Sequence, residues 1–155
     1  MHVEEHVSMP VGLDEAWDFV WQTERLAACL PGCVGVDIIE PGKTYLAHME
    51  DRIGPYRIEA DLDVVVLESE PRERIRMRAS GKDKRLGTSQ RITMDVRLRP
   101  VSPTETSLDV DGDVEVLGKV ATLGQFAIKR KVGDVIKKFG DNIRAQWPTT
   151  EGAGA

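Results

Sequence analysis

The sequence predicts an α+β fold, an antiparallel sheet with its helices gathered on one face. Three observations predict it. Between Val34 and Val116 apolar and polar residues alternate with a period of two, the mark of strands with one wet and one covered face. Five turn signals, each holding proline or glycine, divide that stretch into short strands whose neighbours can pair in antiparallel order. From Leu117 to Trp147 the apolar period becomes that of a helix.

The elements follow in order. Met1, Val3, Val7 and Met9 alternate with His2, Glu4 and His6, which predicts a first strand ended by Pro10. Asp14 is placed to cap a helix in which Leu13, Trp17, Val20 and Trp21 share a face. Leu26, Ala27 and Leu30 continue the apolar spacing into a second short helix, stopped by Pro31-Gly32.

The turn signals of the strand region are Glu40-Pro41-Gly42, Ile53-Gly54-Pro55, Glu70-Pro71-Arg72, Leu86-Gly87-Thr88 and Pro100 through Pro103. They predict a six-stranded meander. Within it Ile58, Ala60, Leu62 and Val64 oppose Arg57, Glu59, Asp61 and Asp63; Leu108, Val110 and Val114 oppose Asp109, Asp111 and Asp113. The last helix should cover the apolar face with Val120, Leu123, Ala127, Ile128, Val132, Val135, Ile136, Phe139 and Ile143. A helix from Leu117 to Trp147 would be roughly 46 Å long at ~1.5 Å per residue, so either it bends or its first part is irregular. Pro148 ends it, which leaves residues 1–147 as a single domain and 148–155 as a flexible tail.

A chain of 155 residues with 41% apolar and 30% charged residues suits one globular unit. Its net charge of −5 argues against nucleic acid as a partner. No apolar run is long enough to span a bilayer and no signal peptide opens the chain, so the expected compartment is the cytoplasm. That charge is unevenly placed: Leu117 to Trp147 holds seven basic and two acidic residues. Lys129, Arg130, Lys131, Lys137 and Lys138 therefore make a candidate surface for an acidic partner or the inner face of the cell membrane, against the simpler reading of a solvated helix face.

A sheet curved around a helix tends to leave an apolar space between them. The residues expected to line it are Tyr45, Met49, Ile58, Leu62, Met77 and Met94 from the inward registers, with Leu123 and Ala127 from the last helix. Three function classes stay open: a binding protein, an enzyme using Glu5, Asp51 or Tyr45 as its acid or base, and an assembly factor with a collapsed interior. No catalytic residue is assigned. Cys29 and Cys33 with three histidines do not form the closed ligand set of a structural zinc site, so no metal is expected and the thiols read as structural. Trp17 and Trp21, one turn apart, read as core. Gly118, Gly124, Gly133 and Gly140 suggest close backbone approach or a bend in the last helix.

Three motifs carry a family resemblance: Ala28-Cys29-Leu30-Pro31-Gly32-Cys33, then Ile53-Gly54-Pro55-Tyr56, then Gly118-Lys119-Val120-Ala121-Thr122-Leu123-Gly124. Over roughly Val3 to Trp147 the chain resembles the carbon monoxide dehydrogenase G-subunit family of the START-like, helix-grip superfamily, which also holds the birch pollen allergen and polyketide cyclases. The resemblance implies a curved antiparallel sheet wrapped around a long C-terminal helix. It also implies a non-catalytic accessory protein that binds a lipid or quinone, with no covalent cofactor. Its partner would be a molybdenum hydroxylase that it assists in membrane recruitment or electron transfer; the alternative from the same superfamily is a cyclase or dehydratase.

Overall fold

A computed structural model describes residues 1–83 and 87–147. The expected tail and Pro148 lie outside the described residues, as does Leu86 of the fourth turn signal. The order is β1 (His2–Met9), α1 (Leu13–Val20), α2 (Thr23–Cys29), β2 (Cys33–Glu40), β3 (Thr44–Ile53), β4 (Tyr56–Glu70), β5 (Arg74–Asp83), β6 (Ser89–Ser102) and β7 (Glu105–Leu117). A 3-10 turn (Lys119–Leu123) and α3 (Gln125–Arg144) complete it.

The seven strands form one antiparallel sheet in the order β1-β7-β6-β5-β4-β3-β2, so the meander closes back on the first strand and leaves β1 and β2 as edges. Register sorts the faces, because directly paired residues point the same way. Val7 pairs with Leu108, Leu98 with Leu108, Val96 with Ile75, Met94 with Met77, and Leu62 with Ala47. These residues form the inner face. The outer face carries the charges, where Arg74 forks onto Asp95 and Arg99 meets Asp109.

Two expectations change. Leu117 ends β7, and the last helix begins only at Gln125, giving 20 residues or about 30 Å. The irregular first part is the 3-10 turn, set off by Gly118 and Gly124, whose φ angles of 98° and 90° are open to glycine and strained for other residues. Asp14 is not a cap: Gly12 holds that position with no side-chain bond, and Asp14 lies in the first turn, where its charge complements the helix dipole. Helix α1 buries Ala16, Phe19 and Val20, while Trp17 and Trp21 meet edge to face at 5.7 Å and pack against the same core.

That core fills one end of the molecule, with Val7, Met9, Phe19, Leu98, Leu108 and Ile143 among its buried members. Gly140 permits it: a Cβ there would stand 3.1 Å from Val7 Cγ2, so α3 lies directly on β1. Gly133 faces open space and serves neither close approach nor a bend. A second, smaller cluster of Ile53, Val120 and Ile128, flanked by Tyr56, Ile58, Leu123 and Val132, fills the other end.

Candidate ligand-binding groove

Between the two clusters the inner face is apolar but incompletely covered. Met49, Val64, Ala79, Ile92 and Met94 all point to the helix side by register, and all are only half-buried. Helix α3 explains this. It packs chiefly on β1, α2 and the 3-10 turn, so its middle does not press on β3 to β5.

The residues expected to line this space are placed as follows. Tyr45, Met49 and Leu62 lie on the inner face of β3 and β4; Leu62 is buried and the other two are half-buried. Met77 and Met94 pair across β5 and β6 and lean on the large core. Ile58 and Leu123 belong to the small cluster, with Leu123 Cδ1 3.3 Å from where a Cβ on Gly54 would stand. Ala127 is half-buried in the first turn of α3. Tyr45, Met49 and Leu62 thus mark the middle of the strip, whereas Ile58 and Leu123 help to close one end.

A concavity of about 500 Å³ opens where β7 runs on past the start of β1 under the first turn of α3. Met1, Val114, Val116 and Ile128 give it apolar walls, while Arg91, Asp113 and Glu115 give it a polar lip. It includes none of the expected lining residues, because the sequence gives no sign that β1 stops short of the end of β7.

The groups an enzyme would use are each engaged. Asp51 sits in the inner register, paired with Ile58, and accepts from the Arg52 N–H at 2.7 Å and from Lys131 Nζ at 3.0 Å. The ion pair joins the last turn-ward residues of β3 to α3 at the rim, each side chain about one-third exposed. Tyr45 Oη accepts from the Gly42 N–H at 2.8 Å, and Glu5, half-buried on β1, accepts from the His6 N–H. Cys29 and Cys33 are free thiols; burial pushes the Cys29 thiol up, opposed by the Arg25 charge.

On the outer face His2, Glu4 and Asp111 each bring one donor atom within 4.8 Å of the others, all exposed and on the far side of the sheet from the groove. Hydrogen bonding to Glu4 raises the His2 pKa.

Of the basic residues expected to form a partner surface, Lys129, Arg130, Lys137 and Lys138 are exposed, but Lys131 turns to Asp51. Two residues escape the sequence reading. Phe126 is 81% exposed at the start of α3, two positions off the apolar stripe that begins at Ile128, a displacement visible on a helical wheel. Gln90 interrupts the inner apolar register of β6, where Ile92, Met94, Val96 and Leu98 follow at spacing two. Its Oε1 is buried with no hydrogen-bond partner among the described residues.

The sequence model of the carbon monoxide dehydrogenase G-subunit family (CoxG) matches residues 4–147. No curated protein matches the chain. Among solved structures, a conserved protein from Geobacillus kaustophilus superposes with a TM-score of 0.84 at 20% identity, covering 94% of each chain. A START superfamily protein from Mycobacterium smegmatis gives 0.73 at 18% identity, covering 94% of this chain and 95% of that one. An aromatase/cyclase from Streptomyces gives 0.63 at 15% identity, covering 95% and 96%. At these identities the likeness is one of fold: a seven-stranded curved sheet and a long C-terminal helix, the helix-grip arrangement.

Proposed function

Since the chain belongs to the carbon monoxide dehydrogenase G-subunit family, we propose that it is an accessory protein that holds an apolar small molecule, a lipid or quinone, in the groove between its sheet and α3, serving a molybdenum hydroxylase. The observation that carries this reading is the half-buried apolar strip between two packed clusters. A fold with no use for that strip would lower α3 onto it and gain roughly 25 cal/mol for each Å² covered. Methionines suit such a wall, because their flexible side chains adapt to a guest.

The same geometry supports contact with an anionic membrane. The 52% exposed Leu117 lines the concavity and the exposed Phe126 follows Gln125, which also lines it, with Lys119, Lys129 and Arg130 exposed close by in the chain. Phe126, Arg130 and Lys137 fall on one solvent line of α3 by their spacing. An apolar tip ringed by cations can enter the headgroup region while the domain stays folded, each nearby Lys or Arg adding about 1 kcal/mol on anionic lipid. Among the described residues no helix is long and apolar enough to cross the membrane, so attachment would be peripheral.

The test is direct. Organic-solvent extracts of the purified protein are expected to contain quinone or lipid by mass spectrometry, and decyl-benzoquinone is expected to raise the melting temperature. Empty extracts together with no thermal shift would refute ligand binding.

A further inference from the structure

The inner face of β6 reads Gln90, Ile92, Met94, Val96 and Leu98, a single polar residue at the end of an apolar row. Gln90 pairs with Gly81 on one side and Val116 on the other, so it lies on the inner wall beside the concavity that Val116 and Arg91 line. Its Oε1 is the buried side-chain polar atom without a hydrogen bond among the described residues. A buried acceptor left unpaired costs about 1–3 kcal/mol, and a leucine at this position would avoid that cost. The amide oxygen therefore calls for a partner that the described residues do not supply.

We propose that Gln90 is the polar anchor of the groove, and that its ligand carries an oxygen head alternating between carbonyl and hydroxyl, as a quinone and its quinol do. The inference rests on the groove reading above and deepens it. A primary amide offers one acceptor and two donors, and a half-turn about its last torsion exchanges them. Facing a quinone, the amide N–H donates to the carbonyl; facing a quinol, Oε1 accepts from the hydroxyl. A lysine or carboxylate in that place would favour one of the two states. The neutral amide holds both without adding charge to an apolar wall, and so would keep the molecule bound through its reduction and reoxidation. The rim pair joins Asp51 of β3 to Lys131 of α3, at the other side of the groove, and leaves this role to Gln90.

The experiment compares wild type with Gln90→Leu, using decyl-benzoquinone, its quinol and decylbenzene as probes in tryptophan-fluorescence titrations. Wild type is expected to bind quinone and quinol about equally, and both at least tenfold more tightly than decylbenzene, ~1.4 kcal/mol. The variant should lose that preference, keep its decylbenzene affinity and melt at a higher temperature when empty, because the unpaired amide is gone. Undiminished quinone and quinol binding by the variant would overturn the assignment, as would equal loss of all three probes, which would mean that Gln90 only shapes the wall. A preference for one redox state in wild type would overturn the alternating head. Failure of wild type to bind any probe would overturn the groove itself, and the anchor with it.

Discussion

Adding one methyl group at Gly118 tests how the last third of the chain is set over the sheet. The residue has φ 98° and ψ −153°, a region that side chains other than hydrogen strain to enter. That strain costs about 1–3 kcal/mol. A Cβ there would also stand 3.0 Å from Thr88 Cα and 3.1 Å from the Gly87 carbonyl oxygen, backbone atoms that no rotamer change can move aside. Overpacking of this kind costs a further ~1–3 kcal/mol, while the stiffer unfolded chain returns about 0.4–1 kcal/mol. Gly118→Ala is thus expected to lose about 2–5 kcal/mol. Gly124 has a similar φ of 90° but nothing within 4 Å of its Cβ position, so Gly124→Ala should show the backbone part alone, about 1–2 kcal/mol. Gly133 is helical and faces open space, so Gly133→Ala should stabilise by up to about 1 kcal/mol. Urea unfolding followed by tryptophan fluorescence measures all three. Equal losses at Gly118 and Gly124 would show that the close approach to Thr88 is not there, and a destabilising Gly133→Ala would contradict the open surface of α3.

Other outcomes follow from the faces of the sheet and helix. His48 on β3 bonds Asp61 of β4 and Asp37 of β2, both at 2.8 Å, and these bonds, Asp61 first, raise its pKa above 6.5. Because the folded value is raised, its stabilisation is complete below about pH 6.5 and is lost as pH rises through the folded value. Hydrogen exchange in β2 should therefore quicken as pH rises above about 6.5 beyond the intrinsic base-catalysed rise, and His48→Gln should remove that excess; an unchanged excess in the variant would exclude His48 as its source. Phe126→Ser should weaken binding to phosphatidylglycerol vesicles by about tenfold without changing the melting temperature, since the ring is already in water. Equal vesicle affinity in the variant would rule out insertion of this tip.

The two-residue alternation and the turn residues were enough to place every strand, because burial of one sheet face writes itself into the chain at spacing two. The inward position of Tyr45, Met49, Leu62 and Met94 followed from the same rule. The end of β7 was less legible: Val114, Val116, Val120 and Leu123 suit strand and helix alike, and only the positive φ of Gly118 and Gly124 separates the two. Lys131 likewise belongs to a run of three cations, and nothing local distinguishes the one that meets Asp51, 80 positions away.

Periodicity and turn chemistry therefore settle the order of the elements and which way each strand faces, while the boundary between β7 and α3 was left to the backbone of Gly118 and Gly124. How far α3 stands from β3 to β5, which polar atom is left unpaired beneath it, and which apolar residue stays outside depend on contacts between distant parts of the chain. Packing distances of a few ångströms decide those, and a pattern along the chain records direction but not distance.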